Sequence, residues 1–323
     1  MKITNEMGVP LLFAPWLLAD TYDYVDDPMY ISATSLMRPL QETILAPRIE
    51  KDPEETTDLS EFIARSLGNS VHNAVETVWK DPVLLKKSLS LLGFSDENIE
   101  RIKVNPKTFE DGDYPVYFEQ RRTKKLLGYT IGGKFDAVID GIVHDIKTTS
   151  AYAWVNNSRD NDYRIQGSIY RWLNQDIITE DFIRVCFLFT DWQKSRADAS
   201  PDYPDNRVKY KDIPLMSIEE TENWIRKRLT IIRDNQKTDP IDLPQCSDEE
   251  VWLVEPTHRY FSNPTKTGGR ATRVFDNYAD ADAYLKKQGK GVIITTEPIA
   301  KRCSKYCSAF ELCVQQQSFT HDM

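Results

Sequence analysis

Apolar residues recur at helical spacing in three long segments of the chain. The segments run from Leu59 to Lys80, from Asp160 to Gln175 and from Ser217 to Arg233. Apolar positions three or four residues apart form one face of an α-helix, as is typical of a helix that packs on a core. The first two faces consist of Phe62, Leu67, Val71, Ala74, Val75 and Val78, and of Ile165, Ile169, Trp172 and Leu173. The pattern predicts three helices.

Between Asp113 and Thr149 the pattern changes to short alternating runs of apolar and polar residues separated by glycines. A period of two is typical of strands, and the glycines mark the turns between them. The apolar run from Ile183 to Phe189 has the length of a further strand. Helix, strand meander, helix and strand in this order predict an α/β fold with a mixed β-sheet flanked by helices.

A second unit is predicted after the segment from Pro240 to Pro244. Its pattern predicts a strand (Ala271 to Phe275), a helix (Asn277 to Gln288) and a strand (Val292 to Thr296), followed by a cysteine-rich tail. We therefore expect residues 1–240 to form the main domain, with a helical or irregular extension at its start. Residues 241–323 are expected to form a small α/β unit with a cysteine cluster.

The dipeptide Asp140-Gly141 lies between two alternating apolar runs and indicates a two-residue hairpin turn. This turn places Asp136 opposite Asp145 and Lys134 opposite Lys147. Because side chains alternate between the faces of a strand, these charged residues share one face. That face also carries Val138 and Val143, whereas Phe135, Ala137, Ile139, Ile142 and Ile146, with His144 among them, form the face that we expect to be buried.

Two carboxylates directly across a strand pair lie about 5 Å apart and repel each other, so we expect a cation between them. Oxygen ligands at this separation suit Mg²⁺ or Mn²⁺, which keep water molecules in their coordination shells. Lys147 follows Asp145 on the same face, where it can orient a water or stabilise charge on a phosphate. The alternative is a solvated face of mixed charge.

The predicted helices supply further polar residues at helical spacing. Gly68, His72 and Glu76 form one stripe on the first helix. His72 is a candidate third metal ligand, and Glu76 is a candidate outer-sphere partner or alternative ligand. Gln166 and Tyr170 form a similar pair on the second helix and suit contacts with a phosphate or a base. The alternative for His72 and Glu76 is an exposed pair on the surface of a helix. The alternative for Gln166 and Tyr170 is an ordinary position at the boundary between core and surface.

The overall charge restricts how the chain can meet a partner. It has 41 Lys and Arg against 50 Asp and Glu, a net charge of −9, which argues against a basic coat over the whole protein. A nucleic-acid surface must be local, and the run from Arg121 to Lys125 is a candidate unless it is only solvated surface. The apolar stretch from Val9 to Ala19 contains two prolines. We therefore expect neither a signal peptide nor a membrane span, and a cytoplasmic location.

Four elements of the chain together resemble the RecB-type branch of the PD-(D/E)XK nuclease superfamily. They occur in the family order and span roughly Ser60 to Phe189. They are Gly68-Asn69-Ser70-Val71-His72-Asn73-Ala74-Val75-Glu76 (G-x-x-x-H-x-x-x-E), Gly133-Lys134-Phe135-Asp136, Asp145-Ile146-Lys147 (D-x-K) and Gln166-Gly167-Ser168-Ile169-Tyr170 (Q-x-x-x-Y). A looser likeness to phage-encoded members continues through Asp191-Trp192.

The resemblance implies a restriction-endonuclease-like fold and a metal-dependent phosphodiesterase that acts on DNA. It implies that Mg²⁺ or Mn²⁺ is held by His72, Asp136, Asp145 and the carbonyl of Ile146. Lys147 would serve the attacking water, and Glu76 is the remaining candidate catalytic residue. Gln166 and Tyr170 would hold the substrate, and Lys134, Arg121 and Arg122 are expected to contact it as well.

The expected activity is that of a DNA exonuclease in recombination or end processing, in a bacterium or in a phage-infected host. An endonuclease of the same chemistry and a catalytically silent DNA-binding or assembly subunit are the alternatives. Besides DNA, a helicase or a single-strand annealing protein is the expected class of partner.

The cysteines indicate a second metal site. Cys303, Cys307 and Cys313 are closely spaced, and Cys246 is the obvious fourth ligand for Zn²⁺ or a [4Fe-4S] cluster. Cys186 lies in an apolar strand and is expected to be an ordinary buried thiol. RecB-type nucleases often carry an iron–sulfur cluster whose first cysteine precedes the nuclease core and whose C-terminal array contains C-x-x-C. Here no cysteine precedes Cys186 and the tail spacing is C-x3-C-x5-C, so zinc, iron–sulfur and metal-free thiols all stay open.

Overall fold

The computed structural model describes residues 2–20, 22–50, 52–156 and 159–319. The chain divides into two compact units, the first made of Met1–Met37 and Lys51–Leu229 and the second of Arg38–Glu50 and Thr230–Met323. The division therefore differs from the boundary predicted near residue 240. It falls within a continuous helix, Ile218–Asn235, and it assigns an early segment of the chain to the second unit. A proline-rich segment was the only local signal for a linker, and local signals do not report such long-range packing.

The strands, in chain order, are β1 (Lys2–Thr4), β2 (Tyr30–Ser32), β3 (Thr56–Asp58), β4 (Ile102–Val104), β5 (Tyr114–Phe118), β6 (Arg121–Leu126), β7 (Tyr129–Lys134), β8 (Ala137–Ile139), β9 (Ile142–Thr149), β10 (Phe182–Phe189), β11 (Val208–Pro214), β12 (Leu253–Val254), β13 (His258–Phe261), β14 (Arg273–Phe275), β15 (Val292–Thr295) and β16 (Ile299–Ala300). The α-helices are α1 (Ala14–Leu18), α2 (Ala33–Leu36), α3 (Leu40–Leu45), α4 (Ile63–Lys80), α5 (Pro82–Leu91), α6 (Asp96–Glu100), α7 (Ala151–Asn156), α8 (Asp160–Leu173), α9 (Lys194–Ala197), α10 (Ile218–Asn235), α11 (Asp248–Val251), α12 (Tyr278–Gln288) and α13 (Lys301–Tyr306). The three long helices and the meander of strands are confirmed.

The first unit is built on a six-stranded sheet with the order β11-β10-β9-β8-β5-β4. The pairs β9/β10 and β4/β5 are parallel and the other neighbours are antiparallel, so the sheet is mixed, as predicted. A second sheet has the order β2-β7-β6, and β1 pairs with β3. Helices α4 and α8 both contact β9, the central strand that carries the Asp-x-Lys sequence. The mixed α/β class with flanking helices is therefore observed.

The hairpin turn at Asp140 and Gly141 has the predicted register. Ala137 pairs with His144, Val138 with Val143 and Ile139 with Ile142. Both turn residues have positive φ angles, 52° and 73°, as a two-residue type I′ turn requires. A two-residue loop fixes the pairing of its strands, so this part of the fold follows from local sequence alone.

The two faces of this hairpin differ from the prediction in two ways. The strand before the turn is interrupted at Phe135 and Asp136, so Lys134 ends β7 and pairs with Arg121 instead of lying opposite Lys147. The charged face is the more deeply buried one, since Val138, Val143 and Asp145 are at most 2 % exposed. On the face predicted to be buried, Phe135 and Ala137 are buried but Ile139, Ile142, His144 and Ile146 are only half-buried. The reason is that β9 is a central strand between β8 and a parallel neighbour, and parallel strands are usually covered on both faces.

Helix α8 packs closely against the sheet through Gly167. A methyl group on Gly167 would lie 2.9 Å from Ile183 Cβ on β10, so glycine allows this approach. Trp172, Ile169 and Phe189 are among the largest fully buried side chains of the unit. By contrast, α4 leaves Leu67 and Val78 exposed. Helix α8 is therefore closely packed on the sheet, whereas α4 is more exposed.

The second unit contains a three-stranded antiparallel sheet with the order β14-β13-β15, contacted by α12. The predicted strand, helix and strand between residues 271 and 296 are confirmed, and β13 is an additional strand in the centre of this sheet. Helix α12 begins after Asn277, whose side chain accepts a hydrogen bond from the backbone N–H of Asp280, and it ends at Gly289, which has a positive φ angle. Within the described ranges, no helix has the length and apolar character needed to cross a membrane.

Candidate functional site

Strand pairing brings two carboxylates together at the ends of β5 and β8. Phe118 pairs with Ala137, so Glu119 and Asp136 are neighbours just beyond the ladder. The backbone N–H of Glu119 donates a hydrogen bond to the carbonyl of Asp136, with a distance of 3.1 Å. Glu119 has a φ angle of 51°, which marks the bend where the chain leaves the sheet. Both acidic side chains thus lie at a point where the regular pairing ends.

His72 of α4 completes a group of three possible metal ligands. Its Nδ1 atom lies 3.3 Å from Asp136 Oδ1 and 3.9 Å from Glu119 Oε1. Among the residues that the structure describes, this is the only set of three or more His, Cys, Asp or Glu ligand atoms that all lie within 4.8 Å of one another. We call His72, Glu119 and Asp136 the donor group. One imidazole nitrogen and two carboxylate oxygens suit a divalent ion such as Mn²⁺ or Mg²⁺.

The backbone of Ile146 orients two members of the donor group. Its N–H donates to Asp136 Oδ2 at 2.6 Å, and its carbonyl contacts His72 Nε2 at 3.1 Å. When Nε2 donates to this carbonyl, Nδ1 faces the carboxylates, which is the arrangement expected of a metal-binding histidine. Ile146 was predicted to bind metal through its carbonyl. The structure places that carbonyl against the imidazole ring, where it positions His72.

Charge pairing controls the ionisation of the donor group. Burial by itself would lower the pKa of His72, but hydrogen bonds to Asp136 and Glu119 outweigh burial and raise the pKa to about 10. Burial alone would raise the pKa of Glu119, whereas hydrogen bonds from His72 and Lys134 lower it below its usual range. At neutral pH the three side chains therefore carry one positive and at least one negative charge in the absence of a metal.

Metal binding at this group should release a proton from His72. A metal ligand must be neutral imidazole, whereas the free protein keeps His72 protonated up to a pH of about 10. We expect the apparent Mn²⁺ affinity to increase as the pH rises from 6 to 9, by up to about tenfold per pH unit. Calorimetric titration in buffers of different ionisation enthalpy measures the released protons directly. Release of about one proton per ion agrees with the expectation, and pH-independent binding contradicts it.

Asp145 and Lys147 form an ion pair beside the donor group. Lys147 Nζ lies 2.6 Å from Asp145 Oδ2; Asp145 is 2 % exposed, whereas the Lys147 side chain is 27% exposed. Apart from this ammonium group, the buried Oδ2 atom has no hydrogen-bond partner in the described part of the chain. Asp145 is not a member of the donor group. Its carboxylate is nevertheless a suitable further ligand for a cation, because carboxylate oxygens bind hard divalent ions.

Burial has opposite direct effects on the two members of this pair. It raises the pKa of the Asp145 carboxyl, since removal from water disfavours the charged form. Burial alone would lower the pKa of Lys147, but the negative charges of Asp145 and Asp136 outweigh it and raise the pKa. Lys147 is therefore an ammonium group at neutral pH. It can donate hydrogen bonds, but it is not a base.

Gln166 and Tyr170 of α8 are brought together, as their helical spacing predicted. Gln166 Nε2 donates to Tyr170 Oη at 2.9 Å, and both residues are buried. The Tyr170 ring lies against Gly133, where a methyl group would come within 2.9 Å of the ring. Burial raises the pKa of the Tyr170 hydroxyl, so this group stays neutral. Tyr170 lines the same cavity as the three residues of the donor group.

A cavity of about 300 Å³ lies next to the donor group. Its walls come from the first 34 residues, from α4 and from the ends of β5, β7 and α8. The lining residues are Tyr22, Tyr30, Ser32, Ala33, Thr34, Asn69, His72, Asn73, Glu119, Gly133, Lys134, Asp136 and Tyr170. The segment before residue 58, which was predicted to be irregular, therefore supplies part of the site.

Several predicted site residues have partners elsewhere. Glu76 pairs with Lys80 and does not line the cavity, so the predicted helical stripe reaches the donor group only through His72. Lys134 lies at the cavity and pairs with Glu119 at 2.5 Å. The basic run from Arg121 to Lys125 lies in strand β6, and its two arginines pair with acidic residues. These pairs are Arg121 with Asp23 and Arg122 with Asp176.

Glu119 is the one member of the donor group that sequence reasoning missed. It follows an apolar strand and precedes the basic run, so nothing in its local pattern distinguishes it from a surface residue. The signal that could have found it is the antiparallel pairing of β5 with β8, which places Glu119 beside Asp136. That pairing joins segments about 20 residues apart with two further strands between them, and no local turn motif specifies it.

The four predicted cysteine ligands lie in the second unit and share one region. Cys303 is buried in an apolar cluster with Val251 and Ala300, and Cys246 packs against this cluster. The Cys246 backbone exchanges two hydrogen bonds with the Gln315 side chain, at 2.7 and 2.9 Å. All five cysteines are free thiols, and Cys186 stands apart on β10.

Thiol ionisation in this region is suppressed. Burial, together with Glu250 and the neighbouring cysteines, raises the pKa of Cys246 to about 12. Burial and the neighbouring cysteines raise the pKa of Cys303 to about 11. No three of the four sulfurs in the described chain come within 4.8 Å of one another. A tetrahedral zinc site with Zn–S bonds of about 2.3 Å needs sulfurs about 3.8 Å apart. A [4Fe-4S] cluster binds each cysteine through a different iron and therefore suits a wider spacing.

No protein-family model matches the chain, and no curated protein matches it. Two solved structures are distantly similar. The crystal structure of SSO0001 is 16% identical, covers 68% of this chain and 83% of its own, and has a TM-score of 0.38. A protein from Eubacterium rectale named "Putative exonuclease" is 12% identical, covers 67% of this chain and 88% of its own, and has a TM-score of 0.34. At these identities and TM-scores, neither likeness assigns a function to this chain.

Proposed function

We propose that the protein is a Mg²⁺- or Mn²⁺-dependent DNA exonuclease that works in DNA recombination or end processing. The observation that carries the proposal is the donor group of His72, Glu119 and Asp136, with the Asp145–Lys147 ion pair next to it. Carboxylates and an imidazole at one point, with an ammonium group nearby, form the arrangement that phosphodiester hydrolysis needs. The resemblance of the surrounding sequence elements to RecB-type nucleases agrees with this assignment.

A divalent ion held by the donor group would supply positive charge to a phosphate oxygen and would lower the pKa of a coordinated water. Asp136 and Glu119 supply the negative charge that attracts the ion, and the Ile146 carbonyl keeps His72 Nδ1 turned toward them. Asp145 is the proposed further ligand, and its carboxylate would then be shared between the ion and the Lys147 ammonium.

Lys147 is proposed to stabilise the charge that develops on the phosphate during hydrolysis. Its raised pKa keeps it protonated, so it offers N–H donors to a phosphate oxygen or to the attacking water. Asp145 holds the ammonium in place at 2.6 Å. Because Asp145 is buried and Lys147 is half-buried, solvent weakens the interaction of this ammonium with a phosphate less than it would on a fully exposed surface.

The surface beside the donor group is suited to a DNA strand even though the chain is acidic overall. Lys134 lies in the cavity wall, and Arg121 and Arg122 follow on the adjoining strand β6. In the free protein these arginines pair with Asp23 and Asp176. We propose that phosphates replace these partners, which makes binding dependent on salt concentration.

Digestion of defined DNA substrates tests the proposal. Labelled linear DNA, as single strands and duplexes, and closed-circular DNA are incubated with Mg²⁺, with Mn²⁺ or with EDTA. We expect linear DNA to be degraded from its ends only when a metal is present, and closed circles to persist. Cleavage of closed circles would identify an endonuclease instead. DNA binding without any cleavage would indicate a catalytically silent subunit.

We further propose that Cys246, Cys303, Cys307 and Cys313 hold a metal group that stabilises the second unit. The grouping of four free thiols in one region supports a metal group among them, which would bind them as thiolates. A [4Fe-4S] cluster and a single zinc ion are the two candidate groups. Iron, sulfide and zinc analysis of anaerobically purified protein distinguishes the two groups.

A further inference from the structure

Three tyrosines line the cavity beside the donor group: Tyr22, Tyr30 and Tyr170. Tyr22 and Tyr30 come from the segment before α2, and Tyr170 comes from α8. Tyr22 is 54% exposed and packs edge-on against Tyr24, with their ring centroids 4.8 Å apart. The Arg121 guanidinium lies over the Tyr22 ring at 5.7 Å. Aromatic surface next to a cationic group thus borders the proposed site of cleavage.

Two glycines on β7 allow two of these rings to lie against the strand. A methyl group on Gly132 would lie 2.2 Å from Tyr30 Cε2, and one on Gly133 would lie 2.9 Å from Tyr170 Cδ1. Any other residue at either position would displace a ring. The pair Gly132-Gly133 therefore sets the positions of both tyrosines relative to Lys134 and the donor group.

The remaining walls carry neutral polar side chains. Asn69 and Asn73 project from α4, one helical turn apart, on either side of the position of His72 along the helix. Ser32 and Thr34 line the cavity at the start of α2. Amides and hydroxyls both donate and accept hydrogen bonds, so they can pair with the polar edge of a base. Aromatic faces with amides and hydroxyls are the chemistry that recognises an exposed nucleobase.

We propose that this cavity binds the unpaired terminal nucleotide of a DNA strand, so that the enzyme prefers single-stranded ends to blunt duplex ends. The proposal rests on the proposed nuclease function. A base in a duplex has its faces covered by its neighbours and its polar edge occupied by its partner. It can therefore use neither the tyrosine faces nor the amides of the cavity unless it leaves the stack. A cavity of about 300 Å³ also has room for a single nucleotide but not for a duplex.

The first experiment compares substrates of one sequence: a single strand, a blunt duplex and a duplex with an unpaired tail. With Mg²⁺ or Mn²⁺, the single strand and the tailed duplex are expected to show kcat/KM values at least about tenfold above the blunt duplex, since base stacking on aromatic residues is lost for the paired end. Equal kcat/KM values for the single strand and the blunt duplex would overturn the proposal and leave the nuclease function intact.

The second experiment changes the cavity wall through Tyr22→Ala. Because Tyr22 is largely exposed, the variant should fold, and we expect KM for the single strand to rise about tenfold while kcat changes little. Tyr210→Ala is the matched control, since Tyr210 is similarly exposed on β11 but does not line the cavity. An unchanged KM in Tyr22→Ala would overturn the proposal.

Binding measurements separate this proposal from the proposed function. Fluorescence anisotropy with the labelled single strand and the blunt duplex is measured in protein carrying Asp136→Asn, so that turnover is suppressed. Tighter binding of the single strand that is lost with Tyr22→Ala supports the proposal, even if the unmodified protein cleaves no DNA and the nuclease function fails. Equal binding of both substrates overturns the proposal.

Discussion

Replacing Asp136 by asparagine is expected to abolish metal-dependent DNA cleavage while preserving the fold. Asparagine keeps an oxygen that can accept the hydrogen bond from the Ile146 N–H but removes the negative charge beside His72 Nδ1. The loss of one charged ligand should cost several kcal/mol of transition-state stabilisation, which corresponds to at least about a thousandfold in kcat. Single-turnover cleavage of linear DNA at saturating Mg²⁺ measures this effect.

Asp140→Asn provides the matched control for this variant. It makes the same chemical change four residues away, at a turn position with a φ angle of 52°, where asparagine is favoured. This control should cleave DNA like the unmodified protein. Comparable activity in Asp136→Asn and Asp140→Asn would show that the donor group is not the catalytic centre.

Substituting Cys307 by serine is expected to destabilise the second unit strongly. A structural four-ligand metal site contributes about 10 to 16 kcal/mol to folding, so one ligand accounts for about 3 kcal/mol. For a unit of this size, such a loss lowers Tm by about 10 °C or more. Thermal unfolding followed together with metal content should show both a lower Tm and a loss of bound metal.

Cys186→Ser is the corresponding control. Cys186 is a half-buried thiol on β10 and belongs to the first unit, so its replacement should leave metal content unchanged and Tm nearly so. DNA cleavage by correctly folded Cys307→Ser protein should resemble that of the unmodified protein, because the donor group lies in the other unit. An unchanged Tm in Cys307→Ser would contradict a stabilising metal group.

Local sequence signals accounted for much of the fold and for part of the site. The Asp140-Gly141 turn fixed the register of β8 and β9, and helical spacing joined Gln166 to Tyr170. These relations involve residues within one hairpin or one helix. In each case a short-range rule, the two-residue turn or the four-residue period, determines the geometry.

The parts that could not be predicted depend on contacts between distant segments. Glu119 reaches Asp136 through the pairing of β5 with β8, and Tyr30 reaches Gly132 through the pairing of β2 with β7. In the second unit, the Cys313 thiol contacts Gln41 Oε1 at 2.8 Å, across more than 270 positions in sequence. No periodicity or turn motif encodes such contacts, because they result from the packing of complete elements.

The burial of the hairpin face also shows the limit of pattern reasoning. Alternation between Lys134 and Lys147 predicted that the apolar face of the hairpin would be the buried one, but Asp145 on the charged face is buried. Asp145 is buried because β9 pairs with the parallel strand β10, and parallel strands are usually covered on both faces. This pairing joins distant segments, so the local pattern does not reveal it. The same burial raises the pKa of Asp145 and gives Lys147 a fixed partner.

Anomalous diffraction from crystals of the protein soaked in Mn²⁺ locates the bound ion. We expect a strong Mn²⁺ peak at about 2.1 Å from His72 Nδ1 and from carboxylate oxygens of Glu119 and Asp136, a normal bond length for such an ion, separate from any signal of the cysteine group. The Mn²⁺ peak should be absent from crystals of the Asp136→Asn variant. Mn²⁺ bound only at another position, or no Mn²⁺ peak at saturating concentration, would show that the donor group is not the metal site.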